Sequence, residues 1–410
     1  MAYYLGIDVG GSHITLDLVD AQTFAVKEDA ELRKPLNTHV EPTAVLSVFD
    51  EAIREMAAKI GADAIKGVGL AFPGPFNYAE GICRITPAQN KYEQLFGVNF
   101  REFLCHALGP DKPVVFNNDA ASFAMGEYFK GGAKGYGRAV VVTLGTGFGA
   151  SFIKEGRPQT VGEEVPKDGE LWHIPYREGI ADDYFSTRWL VAEWKRRTGQ
   201  EIAGGKEIEE AAKGGDQTAI EIYRTFGSNL AEFVAPWLGR FRAEAFVIGG
   251  NIALAWDLFI PAFLEALDPT VAASLAVKPC EMGEQASVCG AALSLTLVEA
   301  ADVLAGVLPA GTAAPAAGQI EGILGAKQVL IDGPAAFPWK PWVLALDQAL
   351  RQAGKRAVWF NVSAADDGQG GLDPANLANI RADATADLCI VSGTGAFQVP
   401  WEGALRVSVE

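Results

Sequence analysis

Two apolar runs, each interrupted by a glycine turn and then resumed, constrain this chain more than any other feature. Tyr3 to Asp8 is strand-like, Val9-Gly10-Gly11-Ser12 turns, and Ile14 to Val19 returns as a second strand. Ala139 to Leu144, the turn Gly145-Thr146-Gly147 and Ala150 to Ile153 repeat that arrangement. The repetition predicts two related halves, each presenting one loop. Glycine leaves peptide N–H groups free to turn toward an anion without side-chain obstruction, so both turns are candidate phosphate loops. Between them lies one carboxylate at a strand-to-helix junction, Asp119 in Val115-Phe-Asn-Asn-Asp-Ala-Ala-Ser-Phe-Ala-Met-Gly-Glu127.

The rest of the chain reads as α/β. A helix is expected from Thr43 to Ile60 and a buried strand from Ile65 to Phe72, closed by Pro73-Gly74-Pro75. The strand Val114 to Asn117 feeds the helix that carries Asp119. A largely helical middle runs from Asp182 to Leu238, followed by the strand-and-turn Phe246-Val-Ile-Gly-Gly-Asn-Ile252 and a helix from Ser287 to Glu299. Residues 301–326 are rich in Ala, Gly and Pro, the composition of a connection. Beyond it, Gln328 to Ile331, Pro341 to Ala353, Arg356 to Val362, Pro374 to Ile380 and Asp387 to Val391 alternate as strand, helix, strand, helix, strand, which predicts a small parallel-sheet appendage. The expected division is therefore 1–120, 121–300, a linker over 301–326 and a small α/β domain over 327–410.

Composition narrows the partners. With 410 residues and 49% hydrophobic content the chain can build two or three substantial cores. A formal net charge of −17 argues against nucleic acid, which needs concentrated Lys and Arg to displace counterions. It does not argue against a nucleotide, since loop amides, a helix N-terminus and a divalent cation supply local positive potential. No run of about 18 apolar residues suggests a membrane span, and the chain enters its first strand with no signal-peptide pattern, so the expected location is cytoplasmic. The five cysteines (Cys83, Cys105, Cys280, Cys289, Cys389) are scattered and never spaced C-x-x-C, the pattern of buried thiols rather than disulfides or a zinc site.

Phosphoryl transfer needs a positioned hydroxyl, a base for its proton and donors around the moving group. Asp119 is the candidate base, and Asn118 can orient an acceptor hydroxyl. Alone, either residue reads as a helix cap. Capping does not explain why glycine turns recur at two separate hairpins, and the joint order shifts the weight to catalysis. Asp8 is read as organising a water-clad divalent cation or the γ-phosphate, with an ordinary turn carboxylate as the alternative. Gly10, Gly11, Ser12, Gly145, Thr146 and Gly147 would hold phosphate oxygens. Gly249-Gly250-Asn251 suits close approach of an adenosine or, equally, a strand-to-helix turn. Glu170 and His173 are groups suited to binding several sugar hydroxyls. Asp182 is either another hydroxyl acceptor or an N-cap.

These residues resemble the ROK family of sugar kinases and repressors, a branch of the actin-like ATPase superfamily, over roughly residues 3 to 300. Asp8-Val-Gly-Gly-Ser12 is similar to the family's first phosphate loop, Pro73-Gly-Pro75 to its interior turn, and Asn118-Asp119 with Ala124-Met-Gly-Glu127 to its catalytic segment. Leu144-Gly-Thr-Gly-Phe-Gly149 matches the second phosphate loop and Ile248-Gly-Gly250 the adenosine turn. The resemblance implies a duplicated ribonuclease H-like fold with a cleft between lobes that close on the substrates, and a homodimer. It also implies ATP- and Mg2+-dependent phosphorylation of a hexose such as glucose at its 6-hydroxyl, with Gly74, Asn118, Glu170, His173 and Asp182 on the sugar. A catalytically weak sugar-binding or regulatory relative is the alternative, as is a kinase for fructose, mannose, allose or an N-acetylhexosamine.

The chain departs from the family in three places. Trp172 stands where the G-E-x-G-H sugar motif has its second glycine. The C-x-C-G-x-x-G-C-x-E zinc hairpin is replaced by His173-Ile-Pro-Tyr-Arg-Glu-Gly-Ile-Ala-Asp182, which has no cysteine, so no structural zinc is expected. Asp182 replaces a sugar-contacting glutamate and is one methylene shorter, which favours a non-glucose substrate. Family repressors carry a helix-turn-helix ahead of the first loop, and with seven residues before Asp8 no DNA-reading domain is expected here.

Overall fold

The first glycine hairpin forms as its alternation dictates, β1 (Tyr3–Val9) pairing antiparallel with β2 (His13–Asp20) so that Asp8 faces Thr15 across the turn. The computed structural model describes residues 1–89, 91–108, 112–297, 317–335, 339–369 and 371–409. They fall into two units, Met1–Asp119 with Ala291–Glu410, and Ala120–Gly290.

In the first unit β3 (Leu32–Pro35), β2, β1, β4 (Ile65–Ala71) and β7 (Val114–Asn117) form one sheet in that order, with β1, β4 and β7 parallel. A two-stranded hairpin, β5 (Phe76–Asn77) with β6 (Ile82–Cys83), interrupts the connection from β4. Helix α1 (Pro42–Ile60) buries Val45, Phe49, Ile53 and Met56, positions spaced by three and four, as an amphipathic helix requires. Helix α2 (Phe100–Leu108) packs beside it. Gly69 on β4 admits no side chain, because a Cβ there would stand 1.7 Å from the Ala291 carbonyl oxygen.

The second unit repeats the plan. Its sheet runs β10 (Arg157–Pro158), β9 (Phe148–Lys154), β8 (Arg138–Leu144), β13 (Ala245–Gly249), β14 (Ala276–Pro279), with β8, β13 and β14 parallel. Antiparallel β9 and β10 extend from β8 as β2 and β3 extend from β1. Strand order and sense match the first sheet, so the duplication inferred from the two hairpins is present in the backbone. A short hairpin, β11 (Pro175–Tyr176) with β12 (Gly179–Ile180), precedes the helices, of which Gln217–Phe241 is the longest and starts on an Asp216 cap, Ala219 N–H to carboxylate at 2.9 Å.

The C-terminal segment forms a third, all-parallel sheet ordered β16 (Ala357–Asn361), β17 (Leu388–Ser392), β15 (Gln328–Asp332), β18 (Leu405–Ser408). The expected strands fall at these places, while the expected helix Pro374–Ile380 is a single turn ending at Leu377. The Ala/Gly/Pro-rich stretch lies outside the described residues as far as 316, and Ala317–Gly325 is helical. The helix expected up to Glu299 is Gln285–Leu293 followed by a 3-10 turn at Ser294–Leu297, with 298 and 299 outside the described residues.

One apolar core runs through the first sheet and into the C-terminal one: Val358, Phe360, Val362, Leu377, Ile380 and Trp401 belong to the same cluster as Leu5, Phe49 and Phe100. Polar bonds tie the same seam. Asn361 N–H donates to the Gly97 carbonyl and Asn99 N–H to that of Trp359, each at 2.8 Å, flanking a Val98–Phe360 bridge. Asp383 accepts the Thr43 N–H at 2.6 Å, so a residue 340 positions away caps the start of α1. No helix among the described residues is long and apolar enough to cross a membrane. Four of the cysteines are buried and Cys280 is partly so.

Candidate active site

Parallel register gathers the candidate residues of the first unit along one sheet edge. Asp8 lies beside Ala71 and Ala71 beside Asn117. The carboxyl ends of β1, β4 and β7 therefore deliver Asp8, the 72–75 turn and Asn118-Asp119 to the same rim, where open α/β sheets bind ligands. Gly10 N–H closes the first turn on the His13 carbonyl at 2.9 Å, Leu36 N–H fixes the Ser12 carbonyl at 2.8 Å, and nothing lies within 4 Å of where a Gly11 Cβ would stand.

Tyr92, which no motif marks, holds this rim together. Its ring is fully buried and its hydroxyl donates to the Gly10 carbonyl. Burial first, then Cys83 and the carboxylates of Asp8 and Asp119, push the phenol well above its ordinary pKa, so it stays a donor at neutral pH. Asp8, Gly10 and Asp119 thus share the neighbourhood of one hydroxyl. Tyr78 does similar work beside Asn118: its hydroxyl donates to the Phe72 carbonyl at 3.1 Å and accepts from Asn118 Nδ2 at 3.3 Å. It also stands 3.4 Å from where a Gly74 Cβ would be, and the Gly74–Pro75 peptide is cis. Helix α3 (Asp119–Lys130) starts on the candidate base, an acidic residue in the first turn, where the helix end is positive.

The second unit carries the other candidates. Gly145 N–H bonds the Gly147 carbonyl at 3.0 Å. The Gly145 carbonyl accepts from the Thr187 N–H at 2.8 Å and its hydroxyl at 2.9 Å, and Arg188 reaches the Thr146 carbonyl at 3.4 Å. With these carbonyls held by the helix Thr187–Thr198, the N–H groups of Thr146 and Gly147 donate to nothing among the described residues. Two adjacent backbone donors are thereby left open to an anion. Gly250, at φ +85°, would put a Cβ 2.4 Å from the Leu144 carbonyl oxygen, and a Gly249 Cβ would stand 2.4 Å from the Phe123 ring. The 249–250 turn is therefore pressed against the base of the 145–147 loop.

Glu170, Trp172 and His173 project from a turn anchored by the buried Leu171. Trp172 Nε1–H donates to Glu170 Oε2 at 2.6 Å, and the ring meets His173 edge-on at 5.2 Å. Asp182 N–H bonds the Trp172 carbonyl at 3.0 Å, while its carboxylate accepts the Phe148 N–H at 2.7 Å and pairs with Arg188. Asp182 is thus a strut from the Glu170–His173 turn to the second glycine loop, each of its oxygens engaged.

The cysteine-free segment between His173 and Asp182 is tied down by side-chain hydrogen bonds and an ion pair. Arg177 donates to Asn229 Oδ1 at 2.8 Å and Glu232 Oε2 at 3.1 Å, and its guanidinium lies 4.9 Å from the Tyr176 ring centroid. Tyr176 donates to Glu232 at 3.0 Å and Tyr184 to Glu178 at 2.8 Å. No group of three or more His, Cys, Asp or Glu suited to a metal ion occurs among the described residues.

Known proteins share this architecture. The glucokinase of Thermotoga maritima is 27% identical over 317 residues, covering 70% of this chain and 95% of that relative. The N-acetyl-D-glucosamine kinase of Haemophilus influenzae is 24% identical over 322 residues, covering 70% of this chain and 98% of that one. Among solved structures, a ROK family glucokinase from Streptomyces griseus in complex with glucose and AMPPNP superposes with a TM-score of 0.56 at 22% identity, covering 71% of this chain and 98% of that one. The fold is accordingly that of the actin-like ATPases. The family pattern described as the ROK family matches residues 4–297, well over half of the sequence, and this chain belongs to the ROK family.

Proposed function

We propose that this protein is an ATP- and Mg2+-dependent hexose kinase that phosphorylates a primary sugar hydroxyl, the 6-OH. The observation that carries the reading is the grouping of Asp8, Gly10 and Asp119 around the Tyr92 hydroxyl. A turn that can hold phosphate and a carboxylate that can take a proton then share one support. Asp119 accepts the hydroxyl proton as the sugar oxygen attacks the γ-phosphorus and the bond to the ADP oxygen breaks, and Asn118 orients the attacking group. The N–H groups of the 10–12 and 145–147 turns hold phosphate oxygens, the 249–250 turn takes the adenosine, and Glu170 and His173 bind sugar hydroxyls. Gly74 keeps the sugar-side turn close-fitting, and Asp182 positions rather than contacts. Mg2+, when bound, neutralises charge on the transferring phosphate. One carboxylate reaching it through water suffices for an ion that keeps most of its hydration, and Asp8 fits that role.

The test is ADP release by purified protein with ATP, Mg2+ and glucose, mannose, fructose, allose or N-acetylated hexosamines. Release that depends on one sugar is expected; sugar binding without release would instead favour a regulatory binder.

Zinc does not fit the residues present. Arg177 supplies the cation at that hairpin, so EDTA should leave the Tm unchanged. Arg177→Ala should cost about 1 kcal/mol, a fall of roughly 2–4 °C. An EDTA-induced loss of stability larger than this would mean that a metal holds the segment after all.

A further inference from the structure

We propose that Trp172 is a substrate-contacting specificity residue, an aromatic platform that selects a pyranose ring. The inference rests on the kinase reading only for the roles of Glu170 and His173. Trp172 is the one aromatic among the exposed large hydrophobic side chains of the described residues, with 45% of its surface exposed. An indole left open to solvent on a turn whose neighbour Leu171 is fully buried is not serving the core. It lies directly between the two side chains best suited to bind sugar hydroxyls. Its edge contact with His173 and its bond to Glu170 fix the ring, which would otherwise lose rotamer freedom on binding.

The chemistry follows from the two parts of the indole. The ring offers a flat apolar face, and a pyranose offers a face of C–H groups with its hydroxyls directed outward toward acceptors such as Glu170 and His173. A furanose, puckered and smaller, covers less of that face. The Nε1–H meanwhile engages Glu170 Oε2 and orients the carboxylate, reducing its capacity to accept from sugar hydroxyls. The site thus trades polar contacts for stacking, which favours aldopyranoses over ketofuranoses. A glycine at this position would supply neither part. The Trp172 carbonyl bond to Asp182 is a main-chain contact and survives substitution of the side chain.

The experiment uses the full chain with Trp172→Gly and Trp172→Phe, measuring sugar binding by calorimetry without ATP alongside steady-state kinetics. Trp172→Gly should weaken binding of the preferred aldopyranose and raise its KM roughly tenfold, with kcat at saturating sugar and KM for ATP within about threefold. It should also narrow the gap between aldopyranose and fructose. Trp172→Phe keeps the ring, should recover most of the affinity, and guards against a glycine variant that folds poorly. If Trp172→Gly binds and turns over each sugar as the parent does, or if only kcat falls, the proposal is overturned while the kinase reading stands. If the parent binds sugar without ADP release and Trp172→Gly weakens that binding, the kinase reading fails and the platform stands. If no sugar binds the parent, both fall.

Discussion

Asp119→Asn is expected to lower kcat by about 10²- to 10⁴-fold, the usual contribution of a general base, with Tm kept within about 4 °C. Asparagine preserves size, hydrogen-bonding reach and the capacity to cap a helix, since Asn and Asp are nearly equivalent in that role. It loses only the ability to take up a proton and a charge near the helix N-terminus. The substitution therefore separates the two readings of this residue. A carboxylate that merely supports the start of α3 predicts near-parental turnover in the asparagine variant. A catalytic one predicts lost turnover with KM for sugar nearly unchanged, because proton acceptance is an interaction made in the transition state. Steady-state ADP release and a thermal melt on the same preparation decide between them, and turnover within tenfold of the parent would remove Asp119 from the mechanism.

Much of this arrangement is legible in the sequence because it is local. Alternation in Tyr3 to Val19 and Ala139 to Ile153 encodes the two hairpins, and a strand passing straight into Asn118-Asp119 puts those residues at a sheet rim. What is not legible depends on partners far apart in the chain. Tyr92 reaches Gly10 across 82 residues and carries no local signature. The edge strands β14 and β18 are four residues long and unmarked by flanking pattern, since parallel pairing to a central strand defines them. Asp182 reads as a sugar acceptor or a cap from its neighbours, whereas its bond to the Phe148 N–H, 34 residues away, is tertiary. The Ala/Gly/Pro composition of 301–326 marks a connection but says nothing of what the segment beyond it packs against. That information lies in the side chains facing the seam.

The seam gives the second large effect. The ROK match ends at residue 297, so a chain truncated at 300 has the outline of a self-sufficient kinase. We expect instead that it fails to accumulate as soluble, active protein. Truncation strips Val358, Phe360, Val362, Leu377, Ile380 and Trp401 from the core shared with the first sheet. At about 1.5–3 kcal/mol for each large apolar side chain buried, six of them contribute on the order of 10 kcal/mol. That is comparable with the whole stability of a typical domain, about 5–15 kcal/mol. The apolar surface they cover on the N-terminal sheet and its helices would face water, a patch of the kind that drives aggregation. Truncation also removes Asp383 from the start of α1 and Asn361 and Trp359 from the 97–99 backbone. The segment they brace is the one that follows Tyr92, so the Gly10 turn should loosen along with it. Co-expression of residues 301–410 as a separate chain is expected to restore solubility, because the lost contacts are noncovalent. A truncated protein that remains monomeric, melts within a few degrees of the parent and keeps its sugar-dependent turnover would show that the C-terminal sheet is a passenger and that the N-terminal sheet closes its core without it.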